Sequence, residues 1–330
     1  MPLNGGMRFV VLGAGAVGAT VGGRLADAGY DVVLLARGAH AEAMARDGLR
    51  LAMPDRVVTA RIPVVTDPSA LRYDDGDALL LTTKTQDTAV VLDALPRRDA
   101  AVFCVQNGVA NERLAARRGF ETYGVVVMLP AVFLEPGHVD AQGSPYSGLL
   151  DLGRWPDGVD DRAADVAAAL AASGFVSAPE PRVMRWKYAK LLRNLGNSLE
   201  AMTGHDLDES ELDVVRELDA RARAEAEECY RAAGIDWASD DEWAARRGMQ
   251  VQWTPVEGRD RMGGSTWQSL ARATGGVEAD YLNGEIVLLG VRHGVTTPVN
   301  RMLQREVAAL ARRGGSPGSV RPSELLAVVT

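Results

Sequence analysis

Residues 186–204 read WKYAKLLRNLGNSLEAMTG. At about 3.6 residues per turn, Tyr188, Leu192, Leu195 and Leu199 form one stripe, and Lys187, Lys190, Asn194 and Asn197 form the opposite one. The apolar stripe is ordinary core packing. The polar stripe is unusual, because no acidic residue stands four positions away to pair with its lysines. A positioned ammonium can stabilise negative charge that develops on an oxygen and can deliver a proton to it. Amides beside it can hydrogen-bond an oxygen-rich ligand.

A second group of polar residues ends two apolar runs, ALLLTTK (Ala78 to Lys84) and AVFCVQNG (Ala101 to Gly108). Ligands of open α/β sheets bind outside the carboxyl ends of the strands. Thr82, Thr83, Lys84, Gln106 and Asn107 fall there. Lys84 suits a carboxylate or phosphate, and Asn107 suits a ribose or a substrate.

These residues need elements to hold them. The stretch MRFVVLGAGAVGATVGGRLADAGYDVVLLAR gives a strand at Phe9 to Leu12, then Gly13, Gly15 and Gly18 as G-x-G-x-x-G. A helix over Ala16 to Ala28 follows, stopped by Gly29, and then a strand over Asp31 to Ala36. That order is the dinucleotide fingerprint. Gly13 permits the tight turn, Gly15 lets a pyrophosphate approach, and Gly18 lets helix and strand pack closely. Ala14, Ala16 and Val17 complete the turn, whose helix N-terminus offers free N–H groups to phosphates. An acid at the end of the second strand would hold a ribose 2′-hydroxyl; this chain has Arg37, which suits a 2′-phosphate and hence NADP.

The totals agree with two domains. The chain has 330 residues, 47% of them hydrophobic, and a net charge of −8. That field opposes nucleic acid as a partner. Two cysteines, Cys104 and Cys229, and His138, His205 and His293 form no metal-ligand grouping, and no metal is expected. Reduced thiols and the lack of a signal-like or membrane-length apolar segment point to the cytoplasm. Strands with Gly-Pro turns follow, then a helix over Asp161 to Ser173 and a short strand near Phe175 to Ala178. A boundary is placed near residue 181, with 1–181 as the nucleotide-binding domain and 182–330 as an all-helical domain. Helices are expected over 186–204, Asp213 to Ala233, Gly284 to Gly294 and Val299 to Arg313. Residues 262–276 read as a polar loop around a short helical piece. Trp186, Trp253 and Trp267 read as packing anchors, Met249 and Met262 as gap fillers, and the helix over 216–231 as a solvated face of paired charges. The apolar tail is expected to dock or stay loose, and hints at a homodimer.

Taken together, GAGAVG, TTK, QNGV, WKYAKLLRN, STWQ, EADYLNG and GVTTPVN resemble the ketopantoate (2-dehydropantoate 2-) reductase family from Met7 to Arg313. The resemblance implies an N-terminal Rossmann domain joined to an all-α domain like that of 6-phosphogluconate dehydrogenase. It implies NADPH-dependent reduction of a 2-oxo acid to a 2-hydroxy acid. The family's catalytic lysine falls on Lys190 and its first amide on Asn194. Its second amide falls on Asn197, three residues after the first where the family has four; Ser198 occupies the fourth place, so the match needs a small gap or local readjustment. Asn107 matches the QNG asparagine, Lys84 the strand-end lysine, Ser265 a substrate-binding serine and Glu278 the motif acid, which would orient Lys190 or bind substrate hydroxyls. Met262 and Ser269 replace an amide and an acid common around that serine. Reduction of another small carbonyl, or NADPH binding without catalysis, are the alternative functions.

Overall fold

The computed structural model describes residues 6–259, 263–273 and 275–329. Thirteen strands are present among them: β1 (Arg8–Leu12), β2 (Asp31–Leu35), β3 (Leu49–Ala52), β4 (Val57–Ala60), β5 (Val64–Val65), β6 (Ala78–Leu81), β7 (Ala101–Cys104), β8 (Glu121–Val125), β9 (Ala131–Glu135), β10 (His138–Ala141), β11 (Gly143–Pro145), β12 (Leu152–Arg154) and β13 (Val251–Trp253). Seven form one sheet in the order β12-β8-β7-β6-β1-β2-β5. All its pairs are parallel except the edge pair β12–β8. A central parallel strand has both faces covered, which is why β1, β6 and β7 are near-continuous apolar runs. A second sheet, β4-β3-β10-β9, packs on the helix α1 (Ala16–Asp27). Gly29, at φ +88°, ends that helix as expected.

The other helices of this unit are α2 (Gly38–Asp47), α3 (Thr85–Ala94), α4 (Asn111–Ala116) and α5 (Asp161–Ala172). Phe9, Val11, Leu25, Leu34, Phe103, Tyr123 and Leu170 lie in the core on one side of the sheet. Val10, Leu12, Leu79, Leu81, Val102 and Cys104 lie in the core on the other. The short strand expected near 175–178 is reduced to bridges, Leu149 with Val176 and Leu152 with Pro179.

The chain resolves into two compact units, 1–187 with 239–261, and 188–238 with 262–330. A single cut near 181 therefore differs from the compact units in two ways. The first unit runs six residues further, and a later segment returns to it. That segment holds α9 (Asp240–Arg247) and β13, which pairs antiparallel with β11. Paired charges anchor it. Arg185 donates to both Glu242 oxygens at 2.9 and 2.7 Å, and Arg246 Nε donates to Asp151 Oδ2 at 2.6 Å. Trp186 and Trp243 pack with ring centroids 6.2 Å apart.

The second unit is helical apart from a 3₁₀ turn at Glu278–Tyr281. The helix α6 (Val183–Asn194) runs into it from the first unit, followed by α7 (Asn197–Thr203), α8 (Glu209–Ala233), α10 (Ser265–Ala271), α11 (Asn283–His293), α12 (Pro298–Arg312) and α13 (Pro322–Val329). α8 opens on a capping box, Asp208 with Glu211, and Pro298 takes the first turn of α12. The outer face of α8 carries paired charges, Arg216 with Asp213, Arg221 with Glu217, and Arg223 with Glu227. The apolar tail folds as α13 and buries Leu325 in its own unit, so it supplies no argument for a dimer. No helix among the described residues is long and apolar enough to cross a membrane.

Glu242 both pairs with Arg185 and closes the capping box of α9 with Ser239. The Arg185 hydrogen bonds, followed by those from Ser239, lower its pKa from an ordinary 4.5 to about 2. A depressed carboxyl stabilises the fold in full above its unfolded pKa and loses that contribution as pH falls through the folded value. Lowering pH from 5 to 2 should therefore reduce Tm more in the wild type than in Glu242→Gln, measured by circular dichroism. Parallel curves would show that the pair contributes nothing.

Candidate active site

The first unit gathers its polar strand ends at one edge of the sheet. Gly13, at φ +112°, turns the chain out of β1, and its N–H and that of Ala14 donate to Leu35 O at 3.2 and 3.0 Å. Thr82 Oγ1 donates to Gly13 O at 2.7 Å. A Cβ added at Gly13 would lie 2.8 Å from Thr83 Cγ2, and one at Gly18 would overlap Gly13 O and lie 2.5 Å from Thr82 Oγ1. Both glycines are therefore required by the protein's own packing. Gly15 differs, because a Cβ there would meet nothing within 4 Å. Its missing side chain leaves open space beside the N-terminus of α1. No side chain caps that end and no acid stands in its first turn, which Ala16, Val17 and Gly18 open. Those first N–H groups have no intrahelical acceptor and suit an anion. The residues present fit a dinucleotide pyrophosphate.

His40 was unassigned by the sequence, and the structure gives it a role at this turn. Its Nδ1 accepts the Gly137 N–H at 2.8 Å, so the proton sits on Nε2, which donates to Ala14 O at 2.7 Å. Arg37 stands just before α2 without capping it, is 80% exposed in its side chain, and donates to Asp87 Oδ2 at 3.1 Å. Lys84 stands just before α3 and is half-buried.

Gln106 commits its Nε2 to the protein's own loops. It is buried, and its Nε2 donates to Thr83 O at 2.7 Å and Thr88 Oγ1 at 2.9 Å. Thr88 in turn donates to Asn111 Oδ1, and Asn111 Nδ2 donates to Asn107 O at 3.3 Å. This ladder joins the loops that carry Lys84 and Asn107.

Lys187 departs from the expected polar stripe. Its side chain is 2% exposed and its Nζ lies 2.8 Å from Oε1 of Glu112, which is fully buried. Nζ also donates to Gln106 O at 2.8 Å and Val125 O at 3.0 Å. The acidic partner exists, 75 residues upstream, where no helical spacing could show it. Lys187 thus pins the turn that carries Asn107.

In the second unit the expected single helix over 186–204 is broken at Leu195 and Gly196. A Cβ at Gly196 would lie 2.5 Å from Asp219 Oδ1 on α8, so a side chain there would have to displace the end of the Asp219 side chain. Lys190 is half-buried and Asn194, one turn later on α6, is buried. Ser198 is buried and donates to Asn283 Oδ1 at 2.8 Å. Its hydroxyl is committed inside the unit. Asn197 is half-buried beside Gly264, with its Oδ1 3.6 Å from where a Cβ of that glycine would stand. Gly264 N donates to Glu200 Oε1 at 3.2 Å, which holds the start of α10 and its exposed first residue, Ser265, against α7. Glu278 is half-buried and opens the 3₁₀ turn before α11. Met262 lies outside the described residues.

A parallel sheet ending in an open glycine turn, in one chain with a helical unit carrying a lysine and an amide on α6 and a second amide on α7, fits a Rossmann-type oxidoreductase. The chain belongs to the ketopantoate reductase family: the model described as ketopantoate reductase PanE/ApbA matches residues 9–157 and its C-terminal counterpart residues 182–311. Enzymes of this family act on CH–OH groups with a nicotinamide dinucleotide. A 2-dehydropantoate 2-reductase of Halobacterium salinarum is 31% identical over 324 residues, 94% of this chain and 100% of that one. The crystal structure of a PanE/ApbA family ketopantoate reductase from Ralstonia eutropha JMP134 is similar with a TM-score of 0.76 at 31% identity, over 93% of this chain and 99% of that one. A D-mandelate dehydrogenase solved with NADH and anilino(oxo)acetate shares the fold, with a TM-score of 0.77 at 24% identity over 93% of this chain and 99% of that one.

The two kinds of glycine separate by experiment. Gly18→Ala should destabilise the fold by about 1–3 kcal/mol through overpacking. Gly15→Ala should cost under about 1 kcal/mol, since it alters only a helix N-cap, yet weaken dinucleotide binding at least tenfold by calorimetry. Equal effects on Tm would contradict the assignment. Lys187→Ala should cost about 3–5 kcal/mol in urea unfolding, because it strands a buried Glu112.

Proposed function

We propose that the chain reduces ketopantoate to pantoate with NADPH, and that Lys190 is the general acid. The observation that carries the reading is the pairing on α6 of a half-buried Lys190 with a buried Asn194 one turn later, where α6 ends and Asn197 begins the next helix. A bound nicotinamide supplies a hydride to C2 of the oxo acid. The C2–O π electrons move to oxygen as that bond forms. The Lys190 ammonium stabilises the developing alkoxide and gives it a proton, leaving a neutral amine that solvent reprotonates. Asn194, Asn197 and Ser265 supply neutral hydrogen bonds that orient the hydroxy acid. Glu278 contributes a carboxylate to orient Lys190 or to accept from a substrate hydroxyl. Gly13 to Gly18 hold the pyrophosphate, and Lys84 and Asn107 hold the cofactor from neighbouring loops.

Coenzyme choice rests on Arg37. No acid stands at the end of β2 to receive a ribose hydroxyl, and the Arg37 guanidinium is solvent-exposed. Its exposed pair with Asp87 is worth at most about 1 kcal/mol, so a 2′-phosphate can displace it. Charge-assisted hydrogen bonds contribute about 1.5–3 kcal/mol. Arg37→Glu should therefore weaken NADPH binding about 10- to 100-fold and NADH binding much less. Equal weakening of both would remove the 2′-phosphate argument.

A panel of 2-oxo acids with NADPH tests the substrate. Ketopantoate should give the highest kcat/KM. Another 2-oxo acid exceeding it tenfold would reassign the substrate, and tight NADPH binding with no turnover on any member would favour a sensor.

A further inference from the structure

The motifs EADYLNG and GVTTPVN each carry an asparagine that the reaction does not use, Asn283 and Asn300. Both are fully buried. Asn283 Nδ2 donates to Leu195 O at 3.2 Å and to Asn300 Oδ1 at 3.1 Å, and its Oδ1 accepts from Ser198 Oγ at 2.8 Å. Leu195 and Ser198 stand on either side of Gly196. One amide therefore grips the end of α6 and the first turn of α7 at once.

Asn300 fixes which way that amide faces. Its Nδ2 donates to Ala222 O and to Glu225 Oε2, both at 2.8 Å, so its Oδ1 must be the acceptor that meets Asn283. Glu225 also accepts the backbone N–H of Val299 and Asn300, at 2.8 and 3.0 Å. It takes the place of the side-chain cap that Thr297 does not provide. The relay runs from Glu225 on α8 through Asn300 on α12 and Asn283 on α11 to the break. Both donors of the Asn283 amide are used. An aspartate could make neither donation.

We infer that Asn283, oriented by Asn300, is the positioning residue that holds the α6–α7 break and so sets Asn197, rather than Ser198, toward the Ser265 segment. A continuous helix would carry Leu195 O to the N–H of Leu199 and rotate Asn197 and Ser198 together. Asn283 takes that carbonyl and the Ser198 hydroxyl, which turns Ser198 inward and leaves the amide of its neighbour facing out. The inference rests on the reading of Lys190, Asn194 and Asn197 given above.

The test uses the full-length enzyme with Asn283→Asp and Ser198→Ala, assayed well below each variant's melting temperature. Asn283→Asp should lower kcat/KM for ketopantoate at least 30-fold, mostly in kcat. Ser198→Ala, which cuts only the α7 side of the grip, should lower it about 3- to 10-fold. The Kd for NADPH should change less than twofold in both. A residue that only supports the fold would lower Tm and leave kcat/KM of the folded fraction unchanged, and that result overturns the inference. Should Asn283→Asp not fold, Ser198→Ala decides alone, and unaltered kcat/KM in it overturns the inference. A crystal structure of Ser198→Ala separates the two readings. If the wild type does not reduce ketopantoate, the proposed activity fails. The positioning role then stands if Asn197 has moved relative to Gly264, and falls if it has not.

Discussion

No side chain fits at Gly18, and the arrangement of the first unit follows from that clearance. α1 can lie against the turn that feeds it only because nothing projects between Gly18 and Gly13 O. Thr82 uses the same carbonyl as its acceptor, which brings the end of β6 to the end of β1. Gln106 then joins β7 to β6 through Thr83, and Lys187 binds the Gln106 carbonyl from below. Each step gives a buried donor an acceptor, because an unpaired polar group costs about 1–3 kcal/mol. Gly15, by contrast, meets nothing within 4 Å of where a Cβ would stand, beside an uncapped helix N-terminus.

The second unit carries Lys190, Asn194 and Asn197 close together in the chain across the end of α6. On the proposed reading, amides suit such a site because they hydrogen-bond an alkoxide or hydroxyl without adding charge, and lysine suits the role of acid because its ammonium can lose a proton, which arginine does not do in proteins. Burial of the opposite face of α6 and α7, through Leu192, Leu195 and Leu199, sets the rotation of these groups. The glycine at 196 then permits the change of direction between Asn194 and Asn197.

Much of this was legible in the residues. The glycine spacing, flanked by short apolar strands, gave the strand–turn–helix–strand order of the first unit, and the apolar stripe of α6 and α7 was read correctly as core. Three features were not legible, each for a physical reason. The return of 239–261 to the first unit depends on a three-residue strand and on ion pairs between distant residues, neither of which leaves a period in sequence. Lys187 looked like Lys190 because a helical plot shows faces, not what each face meets; its partner Glu112 lies on another element. The helix break at Leu195 and Gly196 was not visible, because the Asp219 side chain that comes close to Gly196 lies on α8, distant in sequence.

The most direct test concerns the proton. In Lys190→Ala, kcat for ketopantoate should fall about 10²- to 10⁴-fold, the usual contribution of a positioned acid. The affinity for NADPH should be unchanged, and a small primary amine added to the assay should restore part of the rate. Turnover near the wild-type value, with no response to added amine, would contradict the account.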